Sequence, residues 1–516
     1  MLKIPIATWI ANAAACLNGT YGHVTHQADR VDCSRQTVYD HASKVQAAVV
    51  AEHQGGPTRA ELVEHNQHLR QENAQLWDWL AQTIEFPTVK QREFAITAAA
   101  MGLSLNQVLV LLTLILGKPA CSGRSTVHRW IKAAGLAAGR VLKSLDARCR
   151  ALVLVGCLDE IFFHGRPVLV GIEPASMTWF LGQKANDRSG ATWAKALRDW
   201  TALEFVTADA GTGLQAGIAG VQQGRREQGQ TPLENGLDVF HTTQEARRVL
   251  RLSWNQVERC WEQAEAATRR VEQAQRQGRD SRGVAVAARG AWKKAEAAFR
   301  QYERSEAGWE IAPGALAVFR PDGRLNDRAW AQEQIGWALP VLSGREWSKV
   351  RGFLQAEATL TFLDRLHRQL QEAVPGDRLR GELVRLWWLR RRRPRANTAG
   401  DVAGAGHVAH LVQQVVCHKV DADWRESYDA VSRVLRRTVR ASSGVECMNS
   451  VLRMHQSRHR TVSQGLLDLK RLYWNCRAFR EGKRRRHSPY ELLGLKLPSY
   501  RFWDLLWMPI PTEGTN

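Results

Sequence analysis

The chain has 516 residues, more than one hydrophobic core organises, so several domains of ordinary size are expected and a single small module is excluded. Its 72 Lys and Arg outnumber 51 Asp and Glu, and a formal charge of +21 favours a polyanionic partner, nucleic acid first, over a neutral small molecule. The longest apolar run, around Val108–Leu116, is too short for a bilayer, the N-terminus lacks the order of a signal peptide, and the nine cysteines form no C-x-x-C pair. A cytoplasmic, nucleoid-associated protein without a membrane span, zinc site or disulfide framework is therefore expected.

Residues 1–50 read as short helices, with Asp32-Cys33-Ser34 as the tight turn of a helix-turn-helix between His23–Val31 and Arg35–Val50. Val38, Ala42 and Val45 turn inward. Arg35, Gln36, Thr37 and Tyr39 lie where a recognition helix presents polar groups to bases and phosphates. A plain helical hairpin is the alternative. Gly55-Gly56-Pro57 is a break. In residues 58–84 Leu62, Leu69 and Leu76 follow at seven-residue spacing, with Asn66 and Asn73 between them. This predicts a short coiled coil, either a dimer contact or an intramolecular helix pair. Residues 88–148 read as a second helix-turn-helix, with Phe94, Ile96, Val108, Leu111, Leu112 and Ile115 inside. Ser122-Gly123 opens its recognition helix, which offers Arg124, Ser125, Thr126, His128, Arg129 and Lys132 to DNA.

From 150 to 241 the texture changes to apolar runs. Leu152–Leu158, Val168–Ile172 and Thr178–Leu181 read as strands, then a helix carries Trp193, Ala196, Leu197 and Trp200 on one face. Leu203–Thr207 and Leu237–Phe240 are two further strands, separated by a helix after Gly213. Three strands, helix, strand, helix, strand is the order of an α/β RNase H-like core. Residues 242–440 predict a large all-α insertion with breaks at Gly278–Gly283, Pro313-Gly314, Pro375-Gly376 and Pro394–Gly406; 441–516 hold further helices and the basic run Lys483–Arg486. The insertion carries a second basic run, Arg390–Arg393 with Arg395.

Asp159 follows the near-continuous apolar run Leu152–Leu158, the pattern of a strand buried on both faces, and Asp209 follows Leu203–Ala208 in the same way. On parallel neighbouring strands the two carboxylates would converge, a costly arrangement that a divalent cation relieves. Glu160 competes with Asp159, but adjacent strand residues face opposite sides, so only one of them points at the site. Asp238 and His241 form a further constellation, either supporting the site and its DNA or serving the fold. Glu446 is the candidate third ligand. Val445, Met448 and Leu452 form an apolar stripe, and Glu446, Asn449, Ser450 and Arg453 a polar one that faces the site and DNA. Ser443 with Glu446 also has the spacing of a capping box.

The stretches Leu158–Phe163, Arg166–Gly171, Thr207–Gly211 and Ser442–Arg453 together resemble the catalytic domain of bacterial insertion-sequence transposases of the DDE class, and Tyr473–Arg477 and Ser488–Gly494 their C-terminal region. The resemblance implies that the family's two Asp and one Glu correspond to Asp159, Asp209 and Glu446. It implies two Mg²⁺ ions, for which Mn²⁺ substitutes, and metal-dependent cleavage and joining of double-stranded DNA by a dimer or larger assembly. Such ions, about 3.5–4 Å apart, activate the attacking oxygen and stabilise the leaving one. In this chain 237 positions separate Asp209 from Glu446, far more than in compact family members. A sequence-specific regulator or domesticated inactive transposase, and a structure-specific nuclease on the same fold, are the competing readings.

Overall fold

The computed structural model describes the chain except residues 1–4, 19, 54–57, 84–85, 117–122, 393–400, 459–460 and 510–516. The break at Gly55-Gly56-Pro57, Ser122, and Arg393 with Arg395 lie outside the described residues. Two compact units are formed, Met1–Pro87 and Thr88–Asn516.

In the first unit α1 (Ile6–Leu17), α2 (His23–Arg30) and α3 (Arg35–His53) enclose Ala13, Ala28 and Val38. The turn between α2 and α3 falls at the expected place. Asp32 takes φ 50°, Cys33 N donates to Ala28 O at 3.0 Å, and Ser34 Oγ accepts from Thr37 N at 3.0 Å. A polar tie joins the three helices: the Asn12 amide bonds the His41 ring at 2.9 Å and accepts from Gln27 at 2.8 Å, while Trp9 stacks on His41. Helix α4 (Arg59–Thr83) opens with Thr58 and Glu61 capping each other, Thr58 N to Glu61 Oε2 at 2.6 Å and Glu61 N to Thr58 Oγ1 at 3.3 Å. Leu62, Leu69 and Leu76 are 48%, 40% and 55% exposed, so the heptad stripe is not buried within the chain.

The second unit begins with α5 (Thr88–Ala100), α6 (Leu105–Leu116) and α7 (Arg124–Cys149). A mixed sheet follows in the order β1 (Val155–Phe163), β2 (Arg166–Glu173), β3 (Thr178–Lys184), α8 (Gly190–Leu197), β4 (Phe205–Ala208), α9 (Thr212–Glu227), β5 (Glu234–Leu237). The strands lie side by side as β3-β2-β1-β4-β5, antiparallel across the first three and parallel from β1 to β5. The expected succession of strands and helices is present with shifted bounds: β1 starts at Val155 rather than Leu152, leaving Leu152 and Leu154 exposed, and β4 at Phe205 rather than Leu203. β1 runs on past Leu158 because Ile161 and Phe163 keep pairing with β2 down to a tight turn at His164 and Gly165, so Asp159 lies inside the strand. The last strand is Glu234–Leu237 rather than Leu237–Phe240, because Asp238 caps a helix, accepting from Phe240 N at 2.8 Å.

The insertion consists of α10 (Val239–Arg276), α11 (Arg282–Ala315), α12 (Arg328–Ala338), α13 (Ser348–Gln355), α14 (Thr361–Ala373), α15 (Asp377–Arg392), α16 (Asp401–Val420) and α17 (Trp424–Arg437). The break expected at Pro313-Gly314 is absent. Pro313 lies near the end of α11, where its missing N–H forfeits a single hydrogen bond. The chain closes with α18 (Ser443–Gln456), α19 (Gln464–Cys476), α20 (Pro489–Leu493) and α21 (Phe502–Leu506).

Both faces of the sheet are covered. On one, Leu158, Leu169, Phe180, Val206 and Ala208 share a core with Leu142 and Leu145 of α7, Trp193 of α8 and Leu214 of α9. On the other, Cys157, Ile161, Val170 and Ile172 meet Val445, Met448 and Leu452, the apolar stripe expected of α18. Residues 88–148 therefore share the core of the sheet. Helix α7 crosses α19 so closely that a Cβ on Gly135 would stand 2.7 Å from Gly465 O, and buried Lys470 donates to Ala99 O at 3.1 Å. The Tyr473–Arg477 segment protects the sheet edge: the Asn475 side chain accepts from Trp179 N at 2.8 Å and donates to Trp179 O at 3.0 Å. Among the described residues no helix is long and apolar enough to cross a membrane.

Candidate metal centre

Strand alternation decides between the adjacent carboxylates of β1. Asp159 shares the α18 side with Cys157 and Ile161, whereas Glu160 faces away and pairs with Arg188 at 2.9 Å. Asp159 is 7% exposed. One of its oxygens accepts from Glu160 N at 2.8 Å and the other from Asn449 Nδ2 of α18 at 2.6 Å. Burial pushes its carboxyl up to about 7, with Asp209 and Glu446 adding to the rise and the Glu160 N–H and His241 opposing it. Burial also raises Glu160, against its bond to Arg188.

Parallel pairing of β1 with β4 sets Leu158 opposite Ala208, so Asp159 and Asp209 follow at the same level on neighbouring strands. Asp209 closes a tight turn by accepting from Gly211 N at 3.0 Å. A side chain at 211 would place its Cβ 2.9 Å from Asp209 Oδ1, which explains glycine there.

The first turns of α10 and α18 meet above the ends of these strands. Asp238, fully buried, receives His241 Nδ1 at 2.6 Å, Ser442 N at 3.1 Å and the Ser442 hydroxyl; Val239 N donates to Arg440 O at 3.2 Å. Burial works against the charge of Asp238, yet bonds from His241 and Ser442 hold its carboxyl below the ordinary range. The residues that begin and end the helical insertion are thereby fastened to each other.

With Nδ1 bound to Asp238, His241 points Nε2 at Glu446 Oε1, 3.2 Å away. Its bonds to Asp238 and then to Glu446 raise the imidazole to about 10, while the bond from His241 lowers Glu446. Arg453, 57% exposed, lies 3.7 Å from the other Glu446 oxygen. The capping-box reading of Ser443 and Glu446 does not hold: Ser442 is the N-cap, no side chain caps the helix, and the Glu446 carboxylate is turned to His241.

Donor atoms of Asp159, His241 and Glu446 all lie within 4.8 Å of one another. Asp209 stands beside this group without belonging to it. His241, expected to support the site or the fold, instead enters the donor set. Its signal in the sequence was the i, i+3 spacing from Asp238, which puts both on one side of a first helical turn. The chemistry of these donors suits a divalent cation. Asp159, Asp209, Glu446, Asp238 and Glu160 concentrate negative charge that His241, Arg453 and Arg188 offset in part, and the buried Asn449 Oδ1 has no hydrogen-bond partner among the described residues.

The other predicted contact residues are displayed toward solvent. Arg35, Gln36 and Tyr39 are exposed and Thr37 half-buried at the start of α3; Arg124, Ser125, His128, Arg129 and Lys132 are exposed and Thr126 half-buried at the start of α7. Comparison with protein-family models, with curated proteins and with solved structures finds no match to this chain.

Proposed function

We propose that this chain is a DDE-type DNA transposase, which binds the ends of a mobile element through its N-terminal helical units and cuts and joins DNA at a divalent-metal site. The carrying observation is the convergence of Asp159, His241 and Glu446 within 4.8 Å, beside Asp209 at the end of the neighbouring parallel strand. The succession of three strands, helix, strand, helix and strand along the chain also supports the reading of an RNase H-like core.

Asp159, Glu446 and His241, with Asp209 adjacent, would hold Mg²⁺, or Mn²⁺ in its place. When bound, the metal activates a water or a 3′-hydroxyl and stabilises the leaving oxygen of the phosphodiester. The protein's own part is positioning. Asn449 and the Glu160 N–H fix both oxygens of Asp159, the Gly211 turn fixes Asp209, and Asp238 sets which imidazole nitrogen faces the site. Loading a metal on His241 requires release of the proton shared with Glu446, so binding strengthens as pH rises. The excess of basic residues draws the DNA.

The test uses linear DNA carrying the inverted repeats that flank the coding sequence. The wild type should nick and join these ends in Mg²⁺, and Glu446→Gln and Asp209→Asn should each leave a folded, DNA-binding protein slowed roughly a thousandfold, as a loss of about 4 kcal/mol requires. Near-normal cleavage by both variants would overturn the assignment.

A further inference from the structure

Helices α10 and α11 form a long antiparallel hairpin whose charge is segregated along its length. Between Ala266 and Ala295 it carries eight basic residues and two acidic ones; over Val239–Glu265 and Glu296–Ala315 it carries six basic and eight acidic. Near the tip Arg269 and Arg276 have loose partners, each 3.9 Å from a glutamate one turn earlier. Arg270, Arg279, Arg282, Arg289, Lys293 and Lys294 are exposed and belong to no ion pair among the described residues. Arg282, Arg289 and Lys293 share one face of α11, Arg289 and Lys293 standing at i, i+4, and Glu296, the acid one turn beyond Lys293, pairs with Arg300 instead. The interior of the distal half is thin: Cys260, Ala264 and Ala295 with Ala291 and Ala298 form a small cluster apart from the main cores. This end contributes little to the common core and presents a cationic surface far from it.

The base of the same hairpin is the proposed metal site, since His241 lies in the first turn of α10. From His241 to Gln277 the helix extends about 54 Å at 1.5 Å per residue. At about 3.4 Å per base pair that is roughly 16 base pairs, a turn and a half of duplex. We infer that the α10–α11 tip is a second, sequence-independent DNA-binding surface, which grips the phosphate backbone of the duplex up to a turn and a half from the phosphodiester at the carboxylates. This rests on the transposase reading for the identity of the polyanion; the charge segregation stands apart from it.

The experiment compares the full-length wild type with a quadruple variant, Arg270→Gln, Arg279→Gln, Arg289→Gln and Lys293→Gln, on a 40-base-pair end duplex without divalent metal. Equal melting temperatures establish that the variant folds. The variant is expected to bind at least roughly tenfold more weakly at low salt, with a log–log salt slope shallower by up to about 3.6, since each of four phosphate contacts contributes about 0.9. It should also lose hydroxyl-radical protection about a turn and a half from the terminus of the inverted repeat. Unchanged affinity, slope and footprint would overturn the inference. So would a wild type whose tip binds phosphatidylserine vesicles, a property lost in the variant, while DNA affinity stays the same. Because nothing here requires cleavage, a chain that grips DNA through the tip yet never cuts it would keep this inference and refute the proposed chemistry.

Discussion

Asp159→Asn separates a carboxylate kept for a cation from one kept for the fold. A carboxyl held near 7 in the native protein and near 3.9 in the unfolded chain corresponds to about 4 kcal/mol of destabilisation above pH 7. The sign follows from proton binding. Between about pH 4 and 7 the native state keeps a proton that the unfolded state has released, so stability falls as pH rises through that window, and below it the two states are alike. Asparagine fits the site: Oδ1 can accept from Glu160 N, and Nδ2 can donate to Asn449 Oδ1 once that amide turns over, supplying the partner this buried oxygen lacks. The metal-free variant should therefore melt several degrees above the wild type at pH 8, at no more than about 2–4 °C per kcal/mol for so large a unit, and close to it at pH 4. Saturating Mn²⁺ should close the gap, because a ligand at a thousand times its Kd adds about 4.1 kcal/mol to the wild type alone. Differential scanning fluorimetry across pH, with and without metal, reads both effects. A variant less stable than the wild type at pH 8 and at pH 4 alike would make Asp159 a structural acceptor and refute the reasoning.

His241→Gln should lower the melting temperature of the metal-free protein at pH 7 and scarcely at pH 10.5. A raised imidazole contributes its full stabilisation below about 6.5 and loses it as pH passes about 10, and an equal loss at both pH values would contradict this. Leu69→Glu in the exposed stripe of α4 should convert a DNA-bound dimer or larger assembly into monomers in light scattering; unchanged mass would leave the stripe without that role. Arg35→Ala combined with Tyr39→Ala should weaken binding to the element's ends while non-specific binding falls far less. An equal fall on both would remove α3 from sequence readout.

Much of the fold was legible because it rests on local pattern. The apolar run of β2 and the stripe Val445, Met448, Leu452 of α18 are dictated by which faces are buried and appear where the pattern set them, whereas β1 and β4 begin later than their apolar runs, with Leu152 and Leu154 exposed. Boundaries failed where tertiary pairing or a cap overrode composition. β1 continues through Ile161 and Phe163 because β2 pairs with them, and Val239-Phe240, apolar enough for a strand, starts a helix because Asp238 caps it. The unity of α7 with the sheet was not readable either, since the glycine contact of Gly135 with Gly465 joins segments 330 positions apart.

The same limit explains why Glu446 was the least secure of the three carboxylates in the sequence. Its distance from Asp209 along the chain suggests that helices α10–α17 decide where it goes. They do not, because the insertion leaves and returns at one point: Asp238 begins it, Ser442 follows it, and the two are bonded through both the backbone and the hydroxyl of Ser442. A loop closed at its base costs little more when lengthened, since closure entropy grows only with the logarithm of length, and helices α14–α17 of the insertion pack around a core of their own. The position of Glu446 is therefore set by residues within a few places of it: Ser442 on Asp238, Val445 and Met448 on the sheet, Asn449 on Asp159. Asp238 and Ser442 have no convergent donor role. Their task is to make α10 and α18 arrive together, one delivering His241 and the other Glu446, so that insertions of very different size could occupy the interval without moving the carboxylates.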